Sequence, residues 1–324
     1  MRGRARFRVA ATRGNTHDEW RRRVILVGSD VARIRAHSDP HARHDTTSSR
    51  GRSPHGAEPP ARPSAPRASD ATRDDSSEIV FGLRACLAVL ATRPQAIREV
   101  LVSADQRDAA RALIAHARGH ARELPDRELE RVAETSHHEG VVVRTAPRAW
   151  ASGKELRALL DPRNVDMRRE GARPKVAVAL DRVRNPYNIG AILRSAAFFG
   201  IDVAVLGAPA PHPALPPDAA RVAEGGAEHL VLSRTTDLAE TLAQLKKVGV
   251  RIYGAENDGA HDVTTFTIER PCVLVLGHER EGISPRVREQ CDAMLAIRGT
   301  GAIQSLNVSI AASLLIHEFA RTAR

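Results

Sequence analysis

Cysteine is scarce in this chain and long apolar runs are missing. Cys86, Cys272 and Cys291 stand far apart in 324 residues. Their odd number and wide spacing exclude both a disulfide framework and a CxxC metal pair. A reducing, cytoplasmic setting follows. The longest apolar stretches, such as CVLVLG from Cys272 to Gly277, are strand-length. They fall far short of the roughly 20 residues that cross a bilayer as a helix, so no membrane association is expected. The first residues are rich in arginine but have no apolar core of secretory type, which leaves a transit peptide as the one targeting signal to weigh. Acidic residues are also in deficit: 39 Asp+Glu face 49 Lys+Arg, for a formal charge of +10. That balance favours a phosphate-rich partner. Much of the excess is arginine near the amino terminus, so the folded part is less basic than the total.

From residue 1 to 77 the chain is Arg, Ser, Pro, Ala, His and Asp without apolar periodicity. Such a segment cannot bury enough apolar surface to offset chain entropy, and it is expected to be disordered. Its arginines read as a solvated tail, a misassigned start codon or an RNA-tethering arm. Residues 78–147 read as a small α/β domain: Leu83, Leu87 and Leu90 have helical spacing, while REVLVS and GVVVRT are strand-like. A polar connector, 148–174, follows, with a short helix ahead of its charged part. Across 175–324 strands and helices alternate, which specifies an α/β domain with a mostly parallel sheet. Ile189, Leu193 and Ala196 form the inner stripe of its first helix, and the second helix opens on Asp237 with Glu240 at capping-box spacing and stops at Gly249.

Parallel sheets bind ligands beyond the carboxyl ends of their strands, so the segments after strands carry the chemistry. Three stand out. In LDRVRNPYNIGAILRSAAFFG, Leu180 to Gly200, a helix opens near Asn188, which suits a cap, and Arg194 follows on the helix. In VLVLGHEREGIS, Val273 to Ser284, Glu279 lies between Gly277 and Gly282; this is either a tight turn with a surface carboxylate or a backbone approach to a flat ligand. In GTGAIQSLNVSIAASLLIHE, Gly299 to Glu318, a polar glycine loop runs into an alanine-rich helix. GTGAIQ falls one glycine short of a dinucleotide fingerprint, and no second strand follows, so NAD is disfavoured. Ser305 and Asn307 there read as helix-start caps on spacing alone.

Taken together, NPYNIGAILRSAAFFG, LVLGHEREGIS and IRGTGAIQSLNVSIA resemble, in order, the three motifs of the SpoU (TrmH-like) branch of the SPOUT RNA methyltransferases. The resemblance implies a carboxyl-terminal α/β trefoil knot. It also implies methyl transfer from S-adenosyl-L-methionine to a ribose 2′-hydroxyl, with rRNA first and tRNA next as substrate. Carried over by position, Leu276, Gly277, Ile297, Gly301 and Leu306 would bind the cofactor, largely through backbone groups. Asn188, Arg194, Glu279, Ser305 and Asn307 would form the catalytic constellation. The resemblance makes Arg194 the candidate for taking or polarising the hydroxyl proton; because guanidinium holds its own proton across the physiological range, orienting phosphate and hydroxyl is its first role and proton removal its second. No metal is required, and the family implies a homodimer. GLRACLAVLATRPQAIREVLVS and HHEGVVVR resemble the L30e-like substrate-binding domain that precedes the knot in rRNA 2′-O-ribose methyltransferases. His137 and His138 could suggest a metal, but adjacent histidines share one ion poorly and no third ligand is near; an RNA-contacting or packing loop is the alternative.

The chain departs from the family in Ile297-Arg298-Gly299, where Ile-Pro-Met is usual, and in Glu224-Gly225, where small residues such as Ser are usual. Two rival readings remain: an RNA-binding assembly factor that keeps the fold without turnover, and a base methyltransferase of the same superfamily.

Overall fold

The computed structural model describes residues 77–165, 173–207 and 215–321. The disorder expected for 1–77 falls, but for Ser77, outside the described residues. All elements below belong to one compact unit, Ser69–Arg324.

The first part contains β1 (Glu78–Phe81), α1 (Leu83–Thr92), β2 (Ile97–Val102), α2 (Arg111–His116), β3 (Ala121–Glu123), α3 (Asp126–Ala133) and β4 (Val141–Thr145). Its sheet has the order β1-β4-β2-β3, with β4 antiparallel to both neighbours and β3 parallel to β2. Strand alternation makes two buried faces. Val80, Val100, Val102, Val141 and Val143 meet α1 and α2, while Phe81, Leu101 and Val142 meet α3. In α1 the fully buried stripe is Ala85, Cys86 and Val89, with Leu83, Leu87 and Leu90 half-buried beside it. Small residues on the inner face let the helix sit close to the sheet, and the leucines fill its flanks.

The connector is more structured than its composition suggests. In α4 (Gly153–Leu160) a reciprocal capping box between Ser152 and Glu155 fixes the first turn, and Leu156 and Leu160 enter the core of the second sheet.

The second part comprises β5 (Val176–Asp181), α5 (Pro186–Phe199), β6 (Val203–Gly207), α6 (Pro217–Val222), β7 (Val231–Thr235), α7 (Leu238–Lys246), β8 (Arg251–Ala255), β9 (His261–Asp262), β10 (Cys272–Leu276), α8 (Pro285–Arg288), β11 (Ala293–Ala296) and α9 (Val308–Arg321). Its seven strands run in the order β7-β6-β5-β10-β8-β11-β9, and every pairing is parallel. Because both faces are covered, strands such as VAVALD are buried along their whole length. Ile189, Leu193 and Ala196 of α5 are buried as their stripe requires. Asp237 caps α7 by accepting from Glu240 N at 3.0 Å, but the box is not reciprocal, because Thr235 Oγ1 already takes the Asp237 N–H. The path from β8 out to β9, back to β10 beside β5, out to β11 and back to α9 against α5 is the passage a carboxyl-terminal knot requires.

The two sheets meet at a buried cluster of four charges. Arg148 Nε lies 2.7 Å from Glu78 and its Nη2 2.9 Å from Glu228, while Arg93 Nε lies 2.9 Å from Glu228 and its Nη2 3.4 Å from Glu78. Glu78 comes from β1, Arg93 from the end of α1, Arg148 from the segment after β4 and Glu228 from the turn before β7. Gly225, with φ +88°, lies against this seam: a side chain there would collide with Ala88 of α1.

Candidate active site

The carboxyl ends of β8, β10 and β11 open into a cavity of about 710 Å³, a size suited to a cofactor. Its walls come from three loops: 255–258 after β8, 276–282 after β10 and 297–306 after β11.

The loop after β10 turns back at once. His278 and Gly282 exchange backbone hydrogen bonds at 3.0 and 2.9 Å, and His278 Nδ1 accepts from Arg280 N at 3.2 Å. A Cβ on Gly277 would fall inside contact distance of the Gly282 and Ile283 backbone. This glycine therefore admits the loop's own return, and it lines the cavity as well. The loop is also stitched to the end of β5. Buried Asp181 accepts from Ser284 N at 2.6 Å, and Arg182, in the left-handed region at φ +61°, donates to Gly282 O at 3.1 Å and pairs with Glu281. Sequence reasoning passed over Asp181 and Arg182. An acid at a strand end before a turn was the available signal.

Helix α5 is capped by Asn185, whose side chain accepts from Tyr187 N at 2.9 Å, and Pro186 fills the first turn. Asn188, read as the cap, instead lies inside the helix and is buried. Its Nδ2 donates to Glu279 Oε1 at 2.6 Å, and its Oδ1 accepts from Asn307 Nδ2 at 3.3 Å. Asn307 does act as a cap, accepting from Ser309 N at 2.8 Å and Ser309 Oγ at 2.6 Å. The direction of the chain is fixed at both ends. The carboxylate can only accept and the backbone N–H can only donate, so each amide between them has one orientation. A single hydrogen-bonded line thus joins the three motif segments.

The other motif residues are distributed unevenly. Leu276, Gly277, Ile297, Gly301 and Leu306 all line the cavity, as do Glu279 and Ser305. Arg194 stands apart from the amide line. It is half-exposed, with Nη1 2.9 Å from Glu224 Oε1, and the other Glu224 oxygen lies 2.7 Å from Arg84 of α1. His138 is buried and its Nδ1 accepts from Gly140 N at 3.0 Å, whereas His137 Nδ1 lies 3.5 Å from the hydroxyl of exposed Tyr187. His137 and His138 do not form a ligand set: among the described residues no three His, Cys, Asp or Glu side chains cluster as metal ligands. No described helix is long and apolar enough to cross a membrane.

A parallel sheet with a carboxylate loop, a polar glycine loop and a capped helix start gathered at one edge defines an α/β methyltransferase of the SPOUT type. The solved structures it is similar to share that fold. They include the SpoU methyltransferase AviRb from Streptomyces viridochromogenes in complex with AdoMet (TM-score 0.61, 23% identity, 76% of this chain and 90% of that one) and an rRNA methyltransferase from Sinorhizobium meliloti (TM-score 0.59, 22% identity, 76% and 88%). The SpoU rRNA Methylase family matches residues 175–317, and the RNA 2′-O ribose methyltransferase substrate-binding family matches 79–151. The 23S rRNA (guanosine-2′-O-)-methyltransferase RlmB of Photobacterium profundum is 33% identical over 250 residues, 76% of this chain and 98% of that protein. A protein of Mycolicibacterium vanbaalenii described as an uncharacterized tRNA/rRNA methyltransferase is 33% identical over 292 residues, 85% and 90%. The chain belongs to the SpoU family of RNA methyltransferases, enzymes that use S-adenosylmethionine.

Proposed function

We propose that the protein methylates a ribose 2′-hydroxyl in structured ribosomal RNA, as a homodimer in the cytoplasm. The observation that carries this reading is the line Glu279–Asn188–Asn307–Ser309, which ties the three motif segments together beside the cavity. The RlmB relatives support 23S rRNA, and a guanosine within it, as the first substrate to test.

S-adenosylmethionine, when bound, supplies a methyl group activated on sulfonium. The enzyme must then hold the sugar oxygen in line with that methyl group and accommodate the proton the hydroxyl loses. Leu276, Gly277, Ile297, Gly301 and Leu306 serve as the binding walls, and Glu256 of the same lining, with one carboxylate oxygen unpaired, suits a ligand rich in N–H and O–H donors. Asn188 and Asn307 orient Glu279, and Ser305 offers a hydroxyl at the rim. Arg194, half-exposed beside the first domain, is suited to an RNA phosphate, since its guanidinium offers donors in a planar fork. Residues 78–147 serve as the RNA-presenting domain, with His137 reaching Tyr187 next to Asn188. Residues 148–174 serve as the connector and 175–324 as the methyltransferase domain. The dimer is supported by Phe198, Ile310 and Leu314, exposed apolar residues on the adjoining helices α5 and α9.

Incubation with methyl-labelled donor and rRNA, followed by digestion to nucleosides, tests the reaction. Label in a 2′-O-methylnucleoside is the expected result. Label on a base, or donor binding without transfer, would replace this reading with a base methyltransferase or an assembly factor.

A further inference from the structure

The third wall of the cavity holds a group that none of the three motifs includes. Glu256 is the first residue after β8, the strand lying between β10 and β11, whose following loops form the other two walls. Its Oε1 pairs with Arg288 of α8. Its Oε2 is buried and has no hydrogen-bond partner. A carboxylate oxygen accepts two hydrogen bonds readily, and leaving one desolvated and unpaired is unfavourable. Neighbouring backbone does not relieve it: Glu256 N donates to Leu295 O at 3.0 Å, and Glu256 O accepts from Gly259 N at 3.3 Å, so the main chain is committed to holding the loop shape. The strand end, the cavity wall and the orphaned oxygen coincide at one residue.

We propose that Glu256 is a binding residue for the methyl donor, its Oε2 accepting a hydrogen bond from an N–H or O–H group of S-adenosylmethionine. The proposal rests on the methyltransferase reading above. The chemistry is complementary: the donor is cationic at its ammonium and sulfonium centres and carries ribose hydroxyls. An acid at this position favours such a ligand over anionic nucleotides that could otherwise enter a cavity of this size.

Calorimetric titration of the full-length protein with S-adenosylhomocysteine and with 5′-methylthioadenosine, which lacks the amino-acid half, provides the test without turnover. Glu256→Ala is expected to weaken S-adenosylhomocysteine binding about tenfold or more, as loss of a charge-assisted hydrogen bond does, and Glu256→Gln to weaken it less. Arg288→Ala removes the same ion pair and is expected to stay within about threefold of wild type. A matching loss for methylthioadenosine places the contact on the nucleoside half, and an unchanged affinity places it on the ammonium half. Wild-type affinity in both Glu256 variants, or an equal loss in Arg288→Ala, would overturn the proposal by showing that the ion pair alone matters. If Glu256→Ala does not fold, Glu256→Gln decides. A wild-type protein that binds neither S-adenosylmethionine nor S-adenosylhomocysteine would instead overturn the methyltransferase reading.

Discussion

The seam between the two sheets and the rim of the cavity are both built from polar groups, but on opposite plans. At the seam four full charges, Glu78, Arg93, Arg148 and Glu228, are buried against one another and neutralise themselves. At the rim neutral amides carry the connection, with Glu279 as the one carboxylate in the line, and Arg194 is left half-exposed. The difference separates two tasks. A joint needs its charges satisfied internally, whereas a site that handles a charged substrate needs its shape fixed by groups that do not compete for that charge.

Cutting the joint should give the largest effect. Glu228→Ala leaves Arg93 and Arg148 buried with one acid fewer, and about 3–5 kcal/mol of stability should be lost, read as a lower urea midpoint. Cutting the amide line comes next. Asn188→Ala removes a charge-assisted hydrogen bond to Glu279 and strands Asn307, and methylation should fall about tenfold to a hundredfold. Its loss of stability should be smaller than that of Glu228→Ala. Unchanged turnover would show that the line only braces the loops. Arg194→Ala addresses the exposed side of the comparison. Its ion pair with Glu224 lies at the surface, so stability should change by less than about 1 kcal/mol, while RNA methylation should drop at least about tenfold if the guanidinium holds a phosphate. An unaltered rate would remove Arg194 from the site.

A subtler test lies away from both clusters, in the core of the second sheet. Burial pushes the Cys272 and Cys291 thiols up to about 12 from an ordinary 9.0. The folded state keeps these protons while the unfolded chain releases them, so above pH 9 the unfolded state binds fewer protons and stability falls as pH rises, until the folded thiols ionise as well. The limiting slope is about 1.4 kcal/mol per pH unit for each thiol. Urea unfolding between pH 8 and 10 should show the decline. Cys272→Ala should make it shallower, and an identical slope would exclude that thiol as a contributor.

Much of the architecture was legible because it depends on local pattern. The stripe Ile189, Leu193, Ala196 and the buried run VAVALD announce a helix and a two-sided strand whatever surrounds them. Short edge elements were not legible: β3 and β9 are formed by pairing with a neighbour rather than by periodicity. The cap of α5 was misplaced by three residues, since Asn185 and Asn188 are chemically equivalent candidates and only the helix path distinguishes them. The spacing of Asn188, Glu279 and Asn307 gave no hint that one amide line joins them, and motif resemblance brought them together without showing how.

By itself the sequence determined the α/β character, the segments rich enough in apolar residues to form strands, and the polar side chains available at strand ends. These follow from composition and periodicity within a few turns of chain. Tertiary structure alone decided that Asn188 is wired while Arg194 is exposed, that Glu78 and Glu228 share two arginines, and that Glu256, in the cavity wall, keeps one carboxylate oxygen unpaired. Each of those depends on groups far apart in the chain being brought within hydrogen-bond range, and burial then determines which of them find a partner.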